Sequence, residues 1–171
     1  RMVIWQSDDP CLMNFNLSQI GYIGMTTTFS DALDVYRRRR NGESLREGPY
    51  IRQFEEELSQ YHNVGTVVTF GAGRMALYAI LKALNLKEGD EVILPGYTCV
   101  VTCNAIRFAG LKPVYVDVSL KDFNLVPELV EKAVTPRTRV ICAQHTFGIP
   151  CDVDALREIS CRYGIVLIED G

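Results

Sequence analysis

Long apolar runs are missing from this sequence of 171 residues. No stretch approaches the roughly 20 consecutive apolar residues that a membrane-spanning helix needs. Residues 1 to 25 also lack the basic start and long apolar segment of a signal peptide. Since 47% of the residues are hydrophobic and 23% are charged, the composition is that of a soluble globular protein. We therefore expect a cytoplasmic protein with one α/β domain.

An excess of positive charge is absent as well. The formal net charge is -3, and the sequence pI is about 5.4. Because binding of a nucleic acid backbone requires a basic face, this balance argues against a nucleic-acid partner.

The sequence also lacks the cysteine spacing of a metal site. None of its six cysteines forms a C-x-x-C pair, and the two histidines are far apart in the chain. We expect no metal, and we interpret the cysteines as small, buried, reduced residues. They are Cys11, Cys99, Cys103, Cys142, Cys151 and Cys161.

Four consecutive arginines, Arg37 to Arg40, precede Asn41-Gly42. A phosphate-binding or targeting patch is one interpretation of such a run. Arginines in the last turn of a helix are favoured by the helix dipole, so we predict a solvated helix end instead.

From residue 64 onward, apolar β-branched segments alternate with amphipathic stretches of helical length. This alternation predicts a three-layer α/β fold, with a mostly parallel sheet covered by helices. The predicted strands are 64–70, 91–95, 113–118, 139–144 and 165–170. We predict helices from Gly73 to about Leu84 and from starting points near Pro49, Thr98, Pro127 and Asp152, with Gly164 following the last helix.

Ligands of parallel sheets bind beyond the carboxyl ends of the strands. Gly71-Ala72-Gly73-Arg74 follows the first predicted strand and opens a helix, as in sites that hold a phosphate on helix N–H groups. The same letters match the dinucleotide pattern G-x-G-x-x-A. That pattern also needs an acid at the end of the second strand, where this chain has Leu94-Pro95-Gly96-Tyr97. The NAD interpretation is therefore disfavoured but stays open.

An acid, Asp170, stands at the end of the fifth predicted strand. Taken alone, it fits a metal ligand, a ribose ligand, a partner of a cationic ring or a helix cap. Combined with the phosphate loop and Tyr97, it outlines a site for a flat, phosphorylated, protonated ring. Pyridoxal 5′-phosphate (PLP) is a flat, phosphorylated ring of this kind. An Asp opposite its pyridine nitrogen keeps that nitrogen protonated.

The stretch from Gly48 to Gly171 resembles the DegT/DnrJ/EryC1/StrS family of PLP-dependent sugar aminotransferases. The order and spacing of its segments match over about 120 residues. The resemblance implies the large domain of the aspartate aminotransferase fold, with an N-terminal arm and helix at 1–47 and a partial PLP-binding domain at 48–171. Since the chain starts at Arg1 and stops after Asp170-Gly171, we expect a fragment. The matching segments are GPYIRQFEEELSQYHNV, GAGRMALYAILKALNLKEGDEVILPGYTCVVTCNAI and GLKPVYVDV through FNLVPELVEKAVTPRTRVI to QHTFGIPCDVDALREISCRYGIVLIEDG.

The resemblance also implies cofactor-binding residues. Ala72, Gly73 and Arg74 fall on the family's Ser-Gly-Thr phosphate loop, and Asp170 falls on the acid that faces the pyridine nitrogen. Arg74 departs from the usual Thr. Cys99 stands where an aromatic residue usually stacks on the ring, and we assign that stacking to Tyr97 instead.

His145 lies at a position where the family also has a histidine. A structural role for it is at least as well supported as a catalytic one.

The activity implied by the resemblance is transfer of an amino group from an amino acid to a nucleotide-linked keto sugar, within a homodimer. The Schiff-base lysine of the family lies beyond Gly171, so we expect this fragment to contain no catalytic residue and to be inactive by itself. Alternatives are an NAD-binding oxidoreductase, a non-catalytic protein of the PLP fold, and a sugar dehydratase of the same family in which His replaces the lysine.

Overall fold

A computed structural model describes residues 28–44, 48–63 and 65–171. The chain divides into two compact units, between Val68 and Thr69. The domain boundary predicted at residues 47 and 48 stays a prediction. None of the described helices is both long and apolar enough to span a membrane.

The described part of the first unit consists of two helices, α1 (Phe29–Arg40) and α2 (Pro49–His62). Thr28 and Asp31 form a reciprocal capping box at the start of α1, which satisfies two of its free N–H groups. The four arginines occupy the last turn of α1, as predicted. The Arg38 guanidinium lies 3.5 Å from the centre of the Tyr50 ring on α2, a cation–π contact.

The second unit contains a four-stranded parallel sheet in the order β2-β1-β3-β4. Its strands are β1 (Glu91–Pro95), β2 (Lys112–Val116), β3 (Thr138–Gln144) and β4 (Val166–Asp170). Its helices are α3 (Gly73–Ala83), α4 (Val100–Phe108), α5 (Pro127–Ala133) and α6 (Val153–Tyr163), with a short 3₁₀ turn at Thr146–Gly148.

Side-chain alternation along the strands separates two apolar cores. One side of the sheet packs on α3 and α4, through residues such as Val92, Val140 and Cys142. The other side packs on α5 and α6, through residues such as Ile93 and Ile141. Because neighbouring strand residues point to opposite faces, each strand contributes to both cores. This arrangement confirms the three-layer α/β fold.

The prediction of a first strand at 64–70 is wrong for the residues that the structure describes, 65–70. Residues 66–70 are not in a strand, and no described strand pairs with them. The side chains of Val68 and Phe70 are 63% and 46% exposed. An apolar β-branched segment becomes a strand only when a neighbouring strand accepts its backbone hydrogen bonds, and the sequence pattern does not report that partner.

The ends of α6 follow the sequence prediction. The carboxylate of Asp152 accepts a hydrogen bond from the Ala155 N–H at 3.0 Å and caps the first turn. Gly164 ends the helix with φ +63°, the left-handed conformation that favours glycine.

A charged cluster surrounds Glu91 at the amino end of β1. The Glu91 side chain is 3% exposed and accepts hydrogen bonds from Lys112 Nζ at 3.1 Å and from an Arg137 nitrogen at 2.9 Å. The Thr135 hydroxyl donates to its other oxygen at 2.5 Å. These contacts, the Thr135 hydroxyl first, lower the pKa of Glu91 below its ordinary value of 4.5. The cluster ties β1 to β2 and to the turn before β3.

Candidate cofactor site

A cleft of about 420 Å³ opens between the start of α3, the start of α4 and the carboxyl ends of β3 and β4. Five of the six predicted cofactor-binding residues line it: Ala72, Gly73, Arg74, Cys99 and Asp170. The location agrees with the rule that parallel sheets bind ligands beyond their carboxyl ends. The four further lining residues are Leu77, Val101, Thr102 and Gln144.

The amino end of α3 provides unused hydrogen-bond donors to this cleft. Ala72 is the N-cap residue and has no side chain that can cap the helix. Met75 and Ala76 donate their N–H groups to the Ala72 carbonyl, at 2.9 and 3.2 Å. The N–H groups of Gly73 and Arg74 have no acceptor among the described residues. Two free donors at the positive end of a helix dipole are a favourable environment for an anion.

Gly73 leaves open space beside these donors. A Cβ atom added there would meet no protein atom within 4 Å, and the backbone is not in the left-handed region. Neither sterics nor backbone conformation within the described chain therefore requires glycine at this position. The open space lets a bound group approach the backbone closely.

Arg74 is an exposed residue that lines this cleft and also a second, apolar cavity between α3 and α4. Its guanidinium has no carboxylate within ion-pair distance and no hydrogen-bond partner among the described residues. This charge is therefore available to a ligand.

Asp170 places a negative charge in the same cleft. It is the last residue of β4 and pairs in register with Gln144 of β3. Residues Val140, Cys142 and Ile168 belong to the core beneath α3 and α4, so alternation puts Gln144 and Asp170 on that same face. The carboxylate of Asp170 has no hydrogen-bond or ion-pair partner in the part of the chain that the structure describes.

Gln144 was missed by the sequence analysis. Its side-chain oxygen accepts from the Thr98 hydroxyl at 2.6 Å, and its side-chain nitrogen donates to the Thr146 hydroxyl at 3.2 Å. These bonds link the loop after β1 to the loop after β3 and hold the cleft floor. The two-residue alternation along β3 was the sequence signal that could have identified Gln144. It places Gln144 and its neighbour His145 on opposite faces of the sheet.

His145 lies on the other side of β3 and is not among the lining residues. Its Nδ1 accepts a hydrogen bond from the Cys151 N–H at 3.2 Å, and its Nε2 lies 3.5 Å from a Glu169 oxygen. These contacts give the imidazole a structural role, which was one of the two roles considered.

The predicted stacking residue, Tyr97, does not line the cleft. Its ring packs with Phe123 at 5.3 Å and with Phe147 at 6.2 Å between ring centroids. Its stacking on a cofactor stays a prediction. Cys99, at the N-cap of α4, occupies the cleft wall.

The cysteines differ in exposure, which corrects the expectation that all are buried. Cys142 and Cys151 are buried, Cys103 is half-buried, and Cys99 and Cys161 are exposed, while Cys11 lies outside the described residues. Burial raises the pKa of Cys142 to about 12, and the nearby negative charge of Asp170 adds to the effect.

The described residues contain no cluster of three or more groups that would hold a metal ion.

Comparison with known proteins places this cleft in a family. Residues 28–171 match the DegT/DnrJ/EryC1/StrS aminotransferase family. The UDP-2-acetamido-2-deoxy-3-oxo-D-glucuronate aminotransferase of Pseudomonas aeruginosa is 38% identical over 136 residues, which cover 80% of this chain and 38% of that protein. The dTDP-3-amino-3,4,6-trideoxy-alpha-D-glucose transaminase of Streptomyces venezuelae is 40% identical, over 72% of this chain and 32% of that protein.

A solved structure shows the same fold. The Bacillus subtilis protein NtdA, with its cofactor PMP bound, superposes with a TM-score of 0.78 and is 34% identical, over 84% of this chain and 34% of that chain. This chain thus spans about a third of the length of the relatives that it matches. Since the family match extends over most of its residues, the chain belongs to the DegT/DnrJ/EryC1/StrS aminotransferase family.

Proposed function

We propose that this chain forms the cofactor-binding part of a PLP-dependent aminotransferase that acts on a nucleotide-linked keto sugar. The observation that carries the proposal is one cleft that Gly73, Arg74 and Asp170 all line, at the amino end of α3 and the carboxyl end of β4. These groups match the two polar ends of PLP, an anionic phosphate and a protonated ring nitrogen.

In this proposal, Ala72, Gly73 and Arg74 bind the phosphate and Asp170 accepts a hydrogen bond from the ring nitrogen. An ionised carboxylate stabilises the positive charge on that nitrogen. Bound PLP supplies an electron sink for moving an amino group between carbon atoms. Asp170 contributes by holding a proton on the ring nitrogen. Gln144 contributes by binding the Thr98 hydroxyl beside Asp170, which fixes the loop after β1 against the end of β3.

The substrate class is inferred from relatives. The Pseudomonas aeruginosa protein is named for a UDP-linked oxo sugar and the Streptomyces venezuelae protein for a dTDP-linked amino sugar. We propose a nucleotide-linked keto sugar as acceptor and an amino acid as donor here, in amino-sugar or polysaccharide biosynthesis. The family match favours this interpretation over the NAD-binding alternative.

The lysine that forms the Schiff base with PLP is proposed to lie outside this chain. None of the five lysines, Lys82, Lys87, Lys112, Lys121 and Lys132, lines the cleft. Because the relatives are nearly three times as long as the matched segment, the missing group has room in the remainder of such a protein. We propose that the 171-residue chain does not transaminate alone.

The proposal includes a homodimer and a cytoplasmic location. Apolar side chains such as Val100, Phe108 and Leu120 are 68%, 78% and 90% exposed, and a second subunit would cover apolar surface of this kind. The free thiols of Cys99 and Cys103 fit a reducing compartment. Light scattering of the complete protein at micromolar concentrations tests the dimer, and a monomer throughout would contradict it.

Replacing Asp170 by Asn in the complete protein tests the proposed role of the carboxylate. The variant keeps the shape but loses the charge that holds the ring nitrogen protonated, so transamination should fall by about two orders of magnitude or more. The control is Asp154→Asn, because the Asp154 side chain is 93% exposed on α6 and lies outside the cleft. Wild-type turnover by the Asp170 variant would refute the assignment.

A further inference from the structure

We propose that Arg74 anchors the cofactor phosphate by charge and that cofactor binding here depends on charge instead of ring stacking. The inference rests on the function proposed above. It concerns how this particular cleft distinguishes a phosphorylated ligand from the same ligand without its phosphate.

The first observation is that no aromatic side chain among the described residues lines the cleft. Its apolar walls come from Leu77, Cys99 and Val101, which pack against a flat ring but offer no π face. Tyr97 is close in sequence, but its ring is already in contact with Phe123 and Phe147. Within the described residues, the cleft therefore offers a cofactor ring apolar packing but no aromatic stacking partner.

The second observation is the uncommitted charge of Arg74. Between residues 69 and 171, four other arginines form ion pairs with carboxylates. These pairs are Arg137 with Glu91, Arg139 with Asp90, Arg157 with Asp154 and Arg162 with Glu131. Arg74 and Arg107 have no such partner among the described residues, and of these two only Arg74 lines the cleft.

The third observation is the position of Arg74 on α3. It is the second residue of the helix, beside the free N–H groups of Gly73 and of Arg74 itself. A guanidinium offers two parallel N–H donors, and two backbone N–H groups add directed bonds from the positive end of the helix. One phosphate group can use both sets at once, which makes Arg74 a positioning residue for the phosphate end of the cofactor.

Charge-based anchoring has two measurable consequences. Affinity should depend strongly on the phosphate, so pyridoxamine phosphate should bind far more tightly than pyridoxamine. Affinity should also fall as salt increases, because dissolved ions weaken the attraction between an exposed guanidinium and a phosphate.

The experiment is calorimetric titration of the complete protein with pyridoxamine phosphate and with pyridoxamine, which bind without a covalent bond to a lysine. Arg74→Met should weaken binding of pyridoxamine phosphate by about 10- to 100-fold. It should leave pyridoxamine binding unchanged and flatten the salt dependence. Arg74→Lys should give a smaller loss, because a lysine keeps the charge but not the paired donors.

The matched control is Arg107→Met, which removes an exposed positive charge from the last turn of α4, outside the cleft, and should leave both affinities unchanged. Cys99→Phe should strengthen binding of both ligands, since it adds a ring to the cleft wall.

Separate outcomes identify which claim fails. If wild-type protein does not bind pyridoxamine phosphate, the proposed function and this inference both fall. If wild type binds it and Arg74→Met binds it equally well, only the role of Arg74 falls. Titration with UDP tests whether Arg74 binds the phosphates of a nucleotide-linked substrate instead. If Arg74→Met loses UDP binding but binds pyridoxamine phosphate as wild type does, Arg74 contacts the substrate and the inference is overturned.

Discussion

The backbone N–H of His145 donates a hydrogen bond to the Asp170 carbonyl at 2.8 Å. This bond extends the pairing of β3 and β4 to the residue that carries the proposed ring-binding carboxylate. The next residue, Gly171, lies against the imidazole, because a Cβ added there would be 3.0 Å from His145 Cδ2. His145 therefore supports the position of Asp170 from the side of the sheet opposite the cleft.

Replacing His145 by Ala should destabilise the fold. The substitution removes the acceptor of the Cys151 N–H, and an unsatisfied buried donor costs about 1–3 kcal/mol. Urea unfolding measures this change. His145→Asn offers a side-chain oxygen near the position of Nδ1 and should recover most of the loss. Equal stability of all three proteins would contradict the structural role.

PLP should protect one exposed cysteine from alkylation and leave another unprotected. Cys99 lines the cleft, whereas Cys161 is exposed on α6 away from it. Mass spectrometry after brief iodoacetamide treatment should show both labelled without PLP, and only Cys161 labelled with PLP. Cys142 should stay unlabelled in either case, because burial raises the pKa of its thiol to about 12. Equal labelling of Cys99 with and without PLP would place the cofactor elsewhere.

Glu91→Gln should destabilise the second unit by about 1–3 kcal/mol at neutral pH, since the buried carboxylate is bonded by Thr135, Lys112 and Arg137. Its pKa is lowered in the folded state, so the stabilisation is complete above the ordinary value of 4.5 and is lost as the pH falls through the lowered value. The difference between wild type and variant should therefore shrink in acid. Denaturant unfolding between pH 3 and pH 7 measures it.

The control for that experiment is Glu88→Gln. Glu88 is exposed and has no hydrogen-bond or ion-pair partner among the described residues, so this variant should match wild type at every pH. A loss of stability as large as that of Glu91→Gln would mean that the cluster itself contributes nothing.

Much of the second unit could be predicted from the sequence. Strands such as Glu91–Pro95 are short, apolar and bounded by turns, and the cap residues Asp152 and Gly164 mark the ends of α6. The place of Asp170 at the carboxyl end of β4 followed from the rule that strand ends build sites. Ala72 and Gly73 were chosen by the same rule, but no strand precedes them.

Other features depend on contacts that a linear pattern does not contain. Residues 66–70 have a strand-like sequence, but strand formation requires a partner that pattern alone does not supply. Tyr97 belongs to an aromatic group because the loops of Phe123 and Phe147 come to meet it. The cluster around Glu91 likewise joins groups that are up to 46 residues apart in the chain.

A crystal structure of the complete protein with PLP is the most direct test of the proposed site. We predict that the phosphate lies on the N–H groups of Gly73 and Arg74, with the Arg74 guanidinium in contact. We also predict that the ring nitrogen lies about 2.7–2.9 Å from a carboxylate oxygen of Asp170. A cofactor bound outside this cleft, or bound within it with the phosphate away from α3 and the ring nitrogen away from Asp170, would contradict the account.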